Sequence, residues 1–440
     1  MIGVAIFVVA LLALLIGFPV AFTFAGIGIF FVILFAEPSQ LAQIPYRLYA
    51  NMGDNGEGIV LMAIPLFIFM GLILQRTRLS EQLLESMGRL FGGLRGGLAI
   101  STVLVGAVLA ASTGVVGASV VAMGLISLPV MQRYGYDTAL ATGTISAAGT
   151  LGQLIPPSIV LIILGDVLNV PVGDLFRAAV TPGLVLVGAY VAYILVVCAL
   201  RPSLAPPIVN DDPESNRSTV ILQALWAVVP PLALILVVLG SIFSGVATPT
   251  ESSALGCVGA VVLAAVYRTF SLALLWESAQ ETVKITAMVF AVLIGASIFA
   301  MGFSYTGGEE QIESLLMSVP GERWGFLLFT MLLITTLGFF LDYIEISYIV
   351  LPLILLVIES LGINLIWFGI LVAMNLQTSF LTPPFGFALF YLKGVAPPSV
   401  RTRDIYRGVV PFILIQVTVL LALLVFPEWF GLSRDQPALW

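Results

Sequence analysis

The chain has 440 residues, 60% of them hydrophobic and only 9% charged, with 17 basic and 24 acidic side chains and a net charge of −7. Soluble domains carry about 25% charged residues, so this composition excludes a water-soluble globule and defines an integral membrane protein. There is no His, which removes His-based acid–base and nucleophilic chemistry, His-ligated zinc and His proton relays.

In chain order, Met1–Ala36 is charge-free and reads as a first span, with no basic leader or small-residue cleavage site. Gly58–Gln75 follows, and then Arg76, Arg78, Arg89 and Arg95 on an amphipathic arm. Gly96–Gln132 is too long for one crossing, which takes about 20 residues. Its small, turn-prone centre, Ser112-Thr113-Gly114-Val115-Val116-Gly117-Ala118-Ser119, predicts a re-entrant hairpin. Thr138–Gly165 is a span broken at Pro156-Pro157, and Ala178–Leu200 is a plain span. The polar linker Arg201–Arg217 divides the chain nearly in half. The second half begins with Ser218–Thr250, an amphipathic stretch between Arg268 and Lys284, the span Ile285–Gly308, and an acidic loop with Glu309, Glu310, Glu313 and Glu322. Arg323–Glu359 predicts a second hairpin with its tip at Phe340–Ser347, followed by Ser360–Leu392, broken at Pro383-Pro384, and a last span, Gly408–Pro427. Short alternating segments are missing, which disfavours a β-barrel. Cys198 and Cys257 lie in apolar runs, against a disulfide framework or a Cys metal cluster.

The punctuation repeats. Pro19 and Gly26 recur as Pro249 and Gly256, Pro129 as Pro352, Pro156-Pro157 as Pro383-Pro384, and Pro182 as Pro411, at nearly one offset, which argues for a duplicated unit. Thirteen of the 17 basic residues fall on one side if the N-terminus is outside. The positive-inside rule makes that side cytoplasmic and leaves both termini outside. The first unit then runs outside to inside and the second inside to outside: an all-α polytopic protein of two inverted-topology repeats, each with a hairpin and a broken helix.

Proline removes a helix hydrogen bond and clashes with the preceding turn, so each Pro pair frees carbonyls at membrane depth, where non-helical backbone survives only against protein or a wet cavity. A cation takes such carbonyls, and nearby half-helix N-termini favour an anion. Asp342 and Glu345 in the second tip are carboxylates at a depth where charge is expensive. Glu251 reads as a structural acid at a turn. Enzyme readings fail: Asp137 and Asp166 lie 29 residues apart, roughly 44 Å when helical, too far to share a proton, and no phosphate-binding glycine loop occurs. A channel is disfavoured because filters usually repeat around symmetry-related subunits.

Leu109–Gly165, with Ser112-Thr113-Gly114, Pro129, Tyr134-Gly135-Tyr136-Asp137 and Gly149–Ser158, resembles the large membrane subunit of tripartite ATP-independent periplasmic (TRAP) transporters. So do Ile64-Pro65-Leu66-Phe67, Phe340-Leu341-Asp342 with Pro352, Thr382-Pro383-Pro384-Phe385-Gly386 and Asp404-Ile405-Tyr406-Arg407-Gly408-Val409-Val410-Pro411. The pattern departs where Tyr343-Ile344-Glu345 follows Asp342.

The resemblance implies sodium-driven import of a small organic anion, a carboxylate, by an elevator motion in a bacterial inner membrane. Residues 96–170 and 323–392 would form the transport domain. Residues 1–95, 171–219, 220–322 and 393–440 would form the scaffold with its arms and linker. A small four-helix membrane subunit and a periplasmic substrate-binding protein are the implied partners, beside the lipid bilayer, and no nucleic acid. The chain is expected to be the separate large subunit rather than a fusion. By position, one Na+ would lie among Ser112, Thr113, Gly114, Gly149, Gly152 and Pro156, and a second among Asp342, Thr378, Ser379 and Thr382. The substrate would sit near Gln153, Ser158, Asn375 and Gln377. The alternatives are a stand-alone dicarboxylate carrier or antiporter, and a non-transporting scaffold subunit.

Overall fold

The computed structural model describes residues 2–52, 60–77, 79–113, 115–207 and 217–435. The described chain is nearly all helix, in keeping with a solvent that cannot satisfy exposed backbone polar groups. Seven described helices are long and apolar enough to cross a membrane.

The first half comprises α1 (Ile2–Leu15), α2 (Val20–Phe35), α3 (Ile44–Met52), α4 (Ala63–Arg76), the arm α5 (Leu79–Phe91), hairpin 1 from α6 (Gly97–Thr113) and α7 (Val116–Arg133), the broken pair α8 (Thr138–Thr150) and α9 (Ile159–Val167), and α10 (Val172–Leu200). The second half repeats that order without the counterpart of α3. Its elements are α11 (Arg217–Phe243), α12 (Pro249–Val266), α13 (Leu272–Tyr305), α14 (Gly308–Met317), hairpin 2 from α15 (Glu322–Leu337) and α16 (Tyr343–Ser360), the broken pair α17 (Leu365–Leu381) and α18 (Phe387–Val395), and α19 (Thr402–Val425).

Two local expectations change. Met1–Ala36 is two helices rather than one span. Gly17 sits at φ +100°, a conformation glycine tolerates, and Pro19 starts α2 without an N–H to continue α1. Phe7 and Phe24 meet the same ring, Phe299, with centroids 6.5 and 4.8 Å away, so α1 and α2 fold back on each other. The amphipathic stretch beyond Arg268 is continuous with the following span, making α13 a single helix of 34 residues. Glu251, read as a structural acid at a turn, caps α12: its carboxylate accepts from the Thr248 N–H (2.8 Å), and its own N–H donates to the Thr248 hydroxyl (3.3 Å).

The halves interlock. The second helix of each half packs on a helix of the other, α2 on α13 and α12 on α4. A Cβ on Gly28 would come within 2.7 Å of the Ile298 carbonyl, so only glycine lets these backbones approach. The helices α10 and α19 pack against the hairpins and broken helices. Gly143 of α8 and Gly408 of α19 abut backbone to backbone. Gln416 donates to the Tyr190 hydroxyl (2.8 Å), and Phe412 lies 5.1 Å from both Tyr190 and Tyr193. Without a hydrophobic force between helices in lipid, such close packing and buried hydrogen bonds are what hold spans together.

A candidate binding site at two hairpin tips and two broken helices

At the first break, α8 ends at Thr150 and a 3₁₀ turn, Leu151–Gln153, leads into a cis Pro156-Pro157 peptide before α9 starts at Ile159. The Leu151 carbonyl accepts from Leu154 N–H (3.1 Å) and Ile155 N–H (2.9 Å). The Ser158 hydroxyl donates to the Gln153 carbonyl at 2.7 Å, satisfying one acceptor that the break frees. Gly149 lies against α7: a Cβ there would be 3.1 Å from the Val120 N and would overlap its side chain. Tip 1 and break 1 are therefore in contact. Gly149, Gly152, Gln153, Pro156 and Ser158 are all buried. Gly114 lies outside the described residues, as do the side chains of Ser112 and Thr113.

At the second break, α17 ends at Leu381, and a cis Pro383-Pro384 peptide precedes α18. The hydroxyls of Thr378, Ser379 and Thr382 donate to the carbonyls of Met374 (2.9 Å), Leu376 (2.8 Å) and Thr378 (2.7 Å). Their donor is spent on the helix, and their lone pairs stay available. The freed Pro384 carbonyl accepts from the Tyr406 hydroxyl at 3.0 Å. Tip 2 reaches the break where Gly338 abuts the Ser379 side chain. Asp342 is half-buried, and its carboxylate accepts from the Tyr343 N–H at 2.6 Å. The Glu345 carboxylate accepts from the Asp342 N–H at 2.9 Å. Glu345 is thereby assigned: the pair caps the start of α16, with Asp342 at the N-cap.

Gln153 and Gln377 are fully buried, and neither the nitrogen nor the oxygen of either amide has a partner. An unmet buried amide costs about 1–3 kcal/mol, so these two groups are the strongest sign of something to be bound. The helix that carries Gln377, α17, packs against the Leu151–Gln153 turn. Asn375 differs. Its Nδ2 donates to the Met331 carbonyl and its Oδ1 accepts from the Thr335 hydroxyl, both at 2.7 Å, tying α17 to α15.

Among the other buried hydroxyls without a partner are Thr144, Ser146 and Thr330, not singled out from the sequence, and Ser347 at the end of tip 2. The small polar run from Thr142 to Thr150 was the available signal for the first two. Tyr391 of α18 was missed as well. Its ring lies 3.0 Å from where a Cβ on Gly117, beside tip 1, would sit, and it is within electrostatic reach of Asp342 in tip 2. Only its place two turns beyond the Pro pair could have flagged it.

Residues 138–167 and 337–392 contain no Lys or Arg. The site therefore offers neutral oxygens, two amides that can donate or accept, and two half-buried carboxylates, Asp342 and Glu345, with no fixed positive charge on these segments.

Residues 7–429 match the family model of the tripartite ATP-independent periplasmic transporter, DctM component. The chain is 31% identical over 411 residues to the C4-dicarboxylate TRAP transporter large permease protein DctM of Pseudomonas aeruginosa, covering 91% of this chain and 93% of that one. It is 30% identical over 433 residues to the ectoine/5-hydroxyectoine TRAP transporter large permease protein UehC of Ruegeria pomeroyi, covering 98% of each. The fold is similar to that of the Alcanivorax borkumensis YdaH transporter, with a TM-score of 0.63 over 90% of each chain at 16% identity. A multi-pass inner-membrane protein, this chain belongs to the DctM component family of tripartite ATP-independent periplasmic transporters, as a large permease subunit.

Proposed function

We propose that the chain imports a small organic acid, as its carboxylate, coupled to Na+. One observation carries the coupling: two unpartnered buried glutamines lie on the broken helices, in segments 138–167 and 337–392 that have no Lys, Arg or His. An anion there needs a counter-charge, since a buried unpaired ion is costly, and a co-transported cation supplies it. The relatives' substrates, a C4-dicarboxylate and ectoine, support a carboxylate-bearing cargo.

In this reading one Na+ is held between tip 1 (Ser112, Thr113, Gly114) and Gly149, Gly152 and Pro156. The other lies between Asp342 and Thr378, Ser379 and Thr382. The substrate meets the amides of Gln153 and Gln377 and the hydroxyl of Ser158, while Asn375 positions α17. The two halves cross the membrane in opposite senses, and the body of hairpins and broken helices moves against the rest as an elevator. A small membrane subunit and a periplasmic substrate-binding protein complete the transporter.

The test is reconstitution with those partners under an inward Na+ gradient. Accumulation of a carboxylate that collapses when Na+ is replaced by K+ is the expected result. Uptake indifferent to Na+ overturns the coupling. Uptake without a binding protein supports the stand-alone carrier instead.

A further inference from the structure

A cavity of about 600 Å³ lies between the arm α5 and both helices of hairpin 1, at the ends marked by Arg89 and Arg133. Arg89 is held by Glu85 at 2.6 Å, so that pair is neutral. Arg133 makes no hydrogen bond or ion pair among the described residues, and its charge is uncompensated. Ser127, on the same wall, is 5% exposed, and its hydroxyl has no partner. Serines in helices ordinarily bond back to the preceding turn. Ser101 and Thr102 on the facing helix do so, at 2.9 and 2.8 Å. Ser127 departs from that pattern and stands in the wall of the cavity. On the same wall, Leu125 is 57% and Val130 40% exposed.

One free guanidinium and one unmet hydroxyl match a singly charged group with several acceptor oxygens, and charge-assisted bonds from Arg are the strong kind. The exposed apolar wall matches hydrocarbon. The arginines mark the level where apolar helices end, which is headgroup depth, and basic pockets between spans favour phospholipid headgroups. We propose that this cavity is a phospholipid site. The phosphodiester accepts from Arg133 and Ser127, and the acyl chains lie along Leu125 and Val130. A lipid there joins the arm to hairpin 1. The proposal rests on the membrane setting and not on the transported substrate.

The test uses the purified full-length chain, delipidated in detergent, with thermal unfolding followed as ligand is added. Phosphatidylglycerol should raise Tm by about 2–4 °C and saturate. Diacylglycerol, which keeps the chains and lacks the phosphate, should not, and neither should glycerol 3-phosphate, which lacks the chains. R133Q should need roughly tenfold more lipid for the same shift, S127A should weaken it in the same direction, and R47Q, outside the cavity, should leave it unchanged. An equal response to glycerol 3-phosphate makes the site one for a soluble anion and overturns the lipid assignment. An equal response to diacylglycerol, or an unaltered response in both R133Q and S127A, overturns it too. If R133Q fails to fold, S127A and R47Q decide.

Discussion

Break 1 and break 2 share one backbone device and differ in what surrounds it. Each interrupts a helix at a cis Pro-Pro peptide, and each is touched by the tip of the hairpin before it. Around break 1 the neighbours are small and aliphatic: Gly149 on Val120, and Gly106 against Ala148 and Met123. Around break 2 they are aromatic and acidic. Phe340 lies 5.1 Å from Phe385, Phe380 lies 5.1 Å from Phe387, and Tyr343, Asp342 and Tyr391 complete the surround.

The hairpins differ as well. The arms of hairpin 1 close on each other where Gly106 admits Met123. Those of hairpin 2 carry no glycine between Gly325 and Gly338, and none in α16. They pack outward instead, α15 on α17 and α16 on α13 and α14. The same break can thus stand in two different surroundings, and the two proposed sites are then not interchangeable. The first is tuned by close approach and the second by a charge, and each should fail in its own way.

The largest expected effect is at the close approach. Gly149→Val forces a side chain into Val120, and overpacking of this kind costs about 1–3 kcal/mol. Because it acts where tip 1 meets the break, uptake in proteoliposomes should fall by about a hundredfold or more. Normal uptake by this variant would remove the tip contact from the mechanism.

Asp342→Asn tests the other side of the comparison. It keeps an N-cap residue but removes the charge, so the Na+ concentration for half-maximal uptake should rise by about tenfold. An equal shift from a neutral substitution at break 1 would erase the distinction between the sites. Gln153→Met and Gln377→Met should raise thermal stability by about 1–3 kcal/mol, because they delete unmet amides, while weakening substrate uptake. A loss of stability would mean that both amides are satisfied in the resting protein. Asn375→Ala should do the reverse and lower stability by about 1–3 kcal/mol, since its amide ties α17 to α15. A change in substrate KM without a change in Tm would return it to the binding site. The smallest effect is expected for Tyr406→Phe, which removes one bond to the Pro384 carbonyl and should cost about 0.5–1.5 kcal/mol in Tm-based stability.

Much of this was legible in the amino-acid order. The absence of charge and of His, the doubled punctuation by proline and the over-long apolar runs each act locally, through solvation and backbone sterics. They sufficed for an all-helical membrane protein with two hairpins and two broken helices. Asn375 shows where such reading stops. Its type and position marked it as a ligand, but only the packing of α17 on α15 reveals that its amide is already committed. Glu345 is the converse, a carboxylate with no evident role until its cap on the Asp342 N–H is seen.

The sequence by itself determined the solvent, the helices and their breaks, because hydrophobicity, proline and glycine exert their effects within a few residues of where they stand. The tertiary structure alone decided which polar groups are left wanting a partner. It also decided that α10 and α19 pack against the hairpins and broken helices and that a polar cavity opens beneath the arm. These outcomes depend on contacts such as Gly143 with Gly408, whose partners lie 265 residues apart. No local pattern encodes a contact at that separation.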